Sequence, residues 1–132
     1  KTNMKIEIIL SILFIHWFAD FVLQTDKQAK GKSKNWLDLL EHTLTYSIVW
    51  VFASCLLFGY VNKGQTTTWY VIYSLLFMGI TFICHTATDY FTSRVNAKLW
   101  EKGQVHNFFV SIGFDQYLHY IQLFVTFYYL SK

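Results

Sequence analysis

Ile12-Leu-Phe-Ile-His16-Trp-Phe-Ala-Asp20-Phe-Val-Leu-Gln24 sets an imidazole and a carboxylate four residues apart inside an otherwise apolar run. Four residues is about one helical turn, so the two side chains share a face. The same pair returns at His85-Thr-Ala-Thr-Asp89. The reversed pair occurs at Asp38-Leu-Leu-Glu-His42 and again at Asp115-Gln-Tyr-Leu-His119. The order His-x3-Asp, Asp-x3-His is therefore run through twice. The flanks agree: Phe14-Ile15-His16 and Asp20-Phe21 match Phe82-Ile83-Cys84-His85 and Asp89-Tyr90. The pattern reads as a duplicated helical hairpin.

The surrounding composition is that of a membrane protein. Of 132 residues, 54% are hydrophobic and 20% aromatic, and there is no proline. Charged residues make up 14%, against roughly 25% in soluble domains. A soluble chain of this length, read as one domain (1–132), leaves too much surface outside to hide that apolar content. Four segments approach the roughly 20 residues needed to span a bilayer: 6–23, 39–61, 69–91 and 108–130. Helix is the backbone that lipid permits, because an open sheet leaves its edge unsatisfied. The expected fold is an all-α membrane protein, a four-transmembrane-helix antiparallel bundle.

The connections are expected at 25–38, 62–68 and 92–107. The first and third hold Lys27, Lys30, Lys32, Lys34, Arg94, Lys98 and Lys102, whereas the second holds only Lys63. By the positive-inside rule the first and third face the cytoplasm and both termini face outward. The first apolar segment lacks a cleavage pattern and reads as a retained helix. Met4 is a candidate native start, with Lys1 to Asn3 ahead of it. Cys55 and Cys84 fall in apolar segments and read as reduced, buried thiols.

Chain direction alternates in such a bundle, so all four His/Asp pairs fall toward the side of the basic loops. Charge in the bilayer costs several kcal/mol unless paired, so such groups face the interior and mark function. Imidazole and carboxylate together are ligands for Zn, Mn or Fe. The candidate metal ligands are His16, Asp20, His42, His85, Asp89, Asp115 and His119. Seven exceed what one tetrahedral ion takes, so two divalent ions are expected, and two-ion sites suit phosphoester hydrolysis. Asp38, Gln24 and Gln116 are candidates to hold the ligands in place. Asp38 reads equally well as a first-turn acid favoured by the helix dipole, and Gln24 as a polar gap-filler.

These motifs resemble a family of small bacterial and phage membrane proteins of unknown function. The resemblance rests on His16-x3-Asp20-Phe-Val-Leu-Gln24 with its lysine-rich tail, then His42, His85-x3-Asp89 and Asp115-Gln116-x2-His119. It covers most of the chain. Thr92 stands where the resemblance implies a lysine, with Arg94 as the nearest substitute. More distantly, the chain is similar to bacterial inner-membrane metal-dependent hydrolases, which implies hydrolysis.

The functional expectation is a metal-dependent hydrolase in the cytoplasmic leaflet of a bacterial inner membrane. Asp20 or Asp89 would bridge ions or act as base. Lys27, Lys30 and Arg94 would draw in a small anionic substrate or a lipid head group. No nucleic-acid partner is expected. Two alternatives stay open: an ion-coupled transporter or proton pathway using the same polar core, and a non-catalytic interaction protein with a structural metal.

Overall fold

The computed structural model describes residues 5–132. Lys1 to Asn3 and the candidate start at Met4 lie outside the described residues. Among these residues the chain is all helical. Helix α1 (Ile6–Trp17) runs into a π-helical turn at Phe18–Val22. A short helix α2 (Asp26–Gly31) follows, then α3 (Trp36–Val61), α4 (Thr67–Glu101) and α5 (Val105–Leu130).

Local chemistry sets these boundaries. Thr25 and Gln28 form a reciprocal capping box at the start of α2, satisfying two backbone donors that the first turn would orphan. The Asn35 side chain accepts from the Leu37 amide and starts α3, and Thr66 does the same for Trp69 at the start of α4. Gly103 takes φ +66° between α4 and α5, a backbone region open to glycine at little steric cost. The short connections make α3, α4 and α5 run antiparallel in sequence. Helix α4 lies between the other two, α1 packs on α5, and the π turn packs on α3.

Among the described residues two helices, not four, are long and apolar enough to cross a membrane: α3 and α4. Helix α1 has only 12 residues before its ladder widens. Helix α5 has 26 residues, but Asp115, Gln116, His119 and Gln122 interrupt its apolar run. The expected first loop contains α2, and most of the expected third loop is helix, since α4 continues to Glu101. Its 35 residues make about 52 Å at ~1.5 Å per residue, more than the ~30 Å hydrocarbon layer. Cys55 and Cys84 are free thiols.

The interior divides in two. One half is aromatic and aliphatic. Phe58 stacks on Phe127 at 5.3 Å between centroids, and Trp50 meets Phe77 at 5.3 Å. Ile8, Ile12, Leu57 and Leu123 complete this layer. The other half is polar. Among the described residues, 17 buried ones are polar or charged and 11 are hydrophobic, while Phe52, Leu56, Ile83 and Phe91 stand at least two-thirds exposed. A soluble domain distributes its residues the other way.

Gly31 closes the α2 end. A Cβ there would come within 2.9 Å of the Asp38 Cβ and closer still to its carboxyl, so α2 sits on the first turn of α3 at glycine distance. Gly31→Ala is expected to destabilise the fold by about 1–3 kcal/mol through overpacking. Gly79→Ala, whose Cβ meets nothing within 4 Å, should be neutral or slightly stabilising. Thermal unfolding of both variants in detergent checks the pair.

Candidate metal centre

The polar half gathers side chains from every long element. The buried stripe of α3 runs Asp38, His42, Tyr46 and Trp50, and that of α4 runs Thr81, His85, Asp89 and Ser93. Asp115 and His119 come from α5, and His16 and Asp20 from α1 and its π turn. All seven ligand candidates are at most 8% exposed.

Asp89 is the hub. Its Oδ1 lies 3.1 Å from His119 Nε2. Its Oδ2 lies 3.3 Å from His42 Nε2 and 3.7 Å from His85 Nε2. Asp20 Oδ1 faces the same two imidazoles at 3.1 and 3.5 Å, and the two Nε2 atoms are 3.3 Å apart. Asp20, His42, His85 and Asp89 thus present four donor atoms that mutually lie within 4.8 Å. A tetrahedral ion with ligands at ~2.1 Å needs edges of about 3.4 Å, which brackets these spacings. A second group, Asp89, Asp115 and His119, meets the same condition and shares Asp89 with the first. His119 Nε2 is 3.4 Å from Asp115 Oδ1.

His16 belongs to neither group. The Tyr46 hydroxyl lies 2.7 Å from its Nδ1, and its Nε2 lies 2.7 Å from Gln116 Oε1. The network is satisfied when Tyr46 O–H donates to Nδ1 and Nε2–H donates to Gln116. The Gln116 amide nitrogen then donates to Asp20 Oδ2 at 3.2 Å and to Asp115 Oδ2 at 3.0 Å. His16 therefore orients the carboxylates through Gln116, as outer partners do in metal sites. Thr92 donates to Asp115 Oδ1 at 2.6 Å, so the residue in the expected lysine position also holds a ligand. The His85 ring is clamped between Tyr46 at 3.9 Å and His119 at 4.2 Å.

The cations sort differently from their even spacing in sequence. Lys32 reaches inward and donates to Asp89 Oδ2 at 2.8 Å. Burial opposes its charge, but the Asp89 and Asp20 carboxylates outweigh it and hold its pKa above the ordinary lysine value. Lys27 instead pairs at the surface with Asp38 at 3.1 Å and Glu41 at 3.3 Å. Arg94 folds back on its own helix, donating to the Tyr90 carbonyl at 2.6 Å with its guanidinium 3.7 Å from the Tyr90 ring. Asp38 is a buried first-turn acid that clips α2 to α3 and lies in neither donor group. Lys30 lines a cavity of about 670 Å³, with Asp20, Asp115 and Gln116 also in its wall.

A family model described as "Protein of unknown function (DUF3307)" matches residues 8–132. The chain belongs to this family. Every residue of both DUF3307 donor groups lies within the matched span. No curated protein and no solved structure matches the chain.

The shared Asp89 makes metal content diagnostic. Asp89→Asn is expected to empty both donor groups. Asp20→Asn should weaken chiefly the first, and Asp115→Asn chiefly the second. Gln116→Ala, which removes an outer partner, should lower metal affinity by about 10–100-fold. Elemental analysis of each purified variant after Zn²⁺ or Mn²⁺ loading reads all four.

Proposed function

We propose that the chain is a membrane-embedded, divalent-metal-dependent hydrolase acting on an anionic, phosphoester-like substrate at the membrane face that carries the basic segments. One observation carries the reading: the Asp89 carboxylate is shared, one oxygen toward each of two buried donor groups. Two ions held close together clamp the attacking and leaving oxygens in phosphoester cleavage, and a shared carboxylate is a group that would hold two ions that close.

The donor set fits Zn, Mn or Fe through imidazole and carboxylate. His42, His85, Asp20 and Asp89 would hold one ion, and Asp89, Asp115 and His119 the other. Ions there supply Lewis acidity and an acidified water. Asp20 lies in the cavity wall, where its carboxylate oxygen not held by an ion would accept a proton from the attacking water and pass it to the leaving oxygen as the ester P–O bond breaks and the alcohol departs. Lys32, beside Asp89, offsets negative charge that builds on the phosphoryl group. Gln116 keeps Asp20 and Asp115 aimed at the centre.

In this reading the bundle sits in the bilayer with α3 and α4 as spans, which their length and apolarity support, and with the exposed apolar side chains against lipid. The expected surroundings are a bacterial inner membrane with the basic segments cytoplasmic. The Phe58, Phe77 and Phe127 layer beyond the polar half favours an enzyme over a transporter, because a conducting path needs polar lining along its whole length.

Purified protein loaded with Mn²⁺ or Zn²⁺ is expected to hydrolyse a chromogenic phosphodiester or phosphomonoester. Chelation should abolish turnover, and metal should restore it. His85→Ala and Asp89→Asn should lose turnover while far-UV circular dichroism stays helical. A preparation that binds one ion per chain with every ligand position closed to water, and turns over neither ester, would sink the hydrolase reading in favour of a structural metal.

A further inference from the structure

The cavity beside the donor groups is built from two unlike surfaces. One side is the π turn, α2 and the residues after it, which bring Lys30, Lys32 and Lys34. The other is the C-terminal third of α4 and the first half of α5, which bring Trp100, Phe108 and Ile112. Asp20, Asp115 and Gln116 connect the cavity to the donor groups. Phe21, Trp100 and Phe109 are each about half exposed or more, so the apolar wall is continuous with the apolar exterior.

Three buried polar atoms around this cavity have no partner: Gln24 Nε2, Ser93 Oγ and Asn96 Oδ1. Ser93 is only 8% exposed. Buried polar groups are ordinarily paired, and each exception needs a cause. The amide nitrogen is a donor, the amide oxygen an acceptor, and the hydroxyl is either. A ligand that satisfies all three offers both acceptor oxygens and a hydroxyl or ammonium donor.

We infer that this cavity binds a glycerophospholipid, with its phosphate toward Lys32, Lys30 and Lys34, its hydroxyl or amine toward Asn96, and its chains along Trp100, Phe109 and Ile112. The inference rests on the hydrolase reading for the lipid being a substrate, but not for its being bound. The three lysines offer partners to a phosphate, and the wall's three carboxylates, Asp20, Glu101 and Asp115, suit a hydroxyl or ammonium donor on the same head group. The apolar wall opening onto the exterior selects an amphiphile over a free anion, since a soluble phosphate gains nothing from it. The volume of about 670 Å³ lies within the range of pockets that enclose a small organic ligand, so it admits a head group with the upper part of its chains.

The test uses the full chain in maltoside micelles, with and without Mn²⁺, and three probes: dihexanoyl phosphatidylglycerol, glycerol 3-phosphate and inorganic phosphate. Binding is followed by tryptophan fluorescence and ³¹P NMR. The short-chain lipid is expected to bind at least tenfold more tightly than glycerol 3-phosphate. Phe109→Ser, on an exposed position of the wall, should cut that preference severalfold and leave glycerol 3-phosphate affinity unchanged. K30Q/K34Q, also at the rim, should weaken both by severalfold. Equal affinity for lipid and glycerol 3-phosphate, binding of neither, or lipid binding indifferent to Phe109→Ser would each overturn the inference. Turnover in the same samples separates the two readings. Hydrolysis of soluble esters without lipid preference leaves the enzyme and removes the lipid, and tight lipid binding without turnover does the reverse.

Discussion

A carboxylate buried to 1% exposure among three imidazoles and a lysine is the constraint around which the rest of the chain is arranged. Asp89 shares its surroundings with Asp20 and Asp115. Three carboxylates so close repel one another and are costly to desolvate unless cations or strong donors meet them. Each helix contributes to that compensation. Helix α3 brings His42, α5 brings His119 and Gln116, and α4 brings His85 on the turn before Asp89. The segment between α1 and α3 brings Lys32. The capping box of α2 and the close seat of Gly31 against Asp38 then acquire a purpose beyond local stability. They fix the short helix after which Lys32 turns inward.

The two halves of the interior do different work. The aromatic layer holds the helices together by area burial and ring packing, without polar atoms that need partners. The polar layer is held by hydrogen bonds that converge on a few carboxylate oxygens, while the buried Nδ1 of His85 has no partner among the described residues. Tyr46 joins the two: its ring stacks on His85, its hydroxyl bonds His16, and it packs beside Trp50. The buried stripe of α3 passes from one regime to the other with no break in its helical spacing.

Much of this was legible in the residues themselves. The His/Asp pairs at four-residue spacing announced helix faces, and alternating chain direction announced that those faces meet at one end. Tyr46, four residues beyond His42, lay on the same face and could have been read from that spacing alone. Other features left no such trace. Four lysines within eight residues look alike in sequence, and only the docking of α2 distinguishes Lys32 from Lys27. Arg94 looked like a free cation, but its own helix supplies Tyr90 as a partner one turn back. The persistence of α4 beyond Thr92 was hidden because its last turns are polar, so periodic apolarity fades where helix does not. The same mixture in α5 carries the donor groups and lowers the hydropathy that a span requires.

The π turn at Phe18–Val22 has a consequence for how the chain tolerates change in length. Its Leu23 amide bonds the Phe18 carbonyl, one residue farther back than a regular ladder allows. Buried positions Ile8, Ile12 and His16 recur every fourth residue, and each such step precesses about 40° around an α-helix. The widened turn rotates the backbone the opposite way, so Asp20 still faces inward. Loss of Phe18 or Ala19 would restore an ordinary ladder, and His16 would then lie three residues from the Asp20 carboxylate, a step of about 300°. Positions three apart share a helix face as positions four apart do, so the apolar anchor of α1 and the carboxylate would both still face inward. This segment is thus a stretch where the ladder absorbs the loss of one residue, whereas the same loss in the regular turns of α1 would rotate the anchor before it by about 100° relative to Asp20.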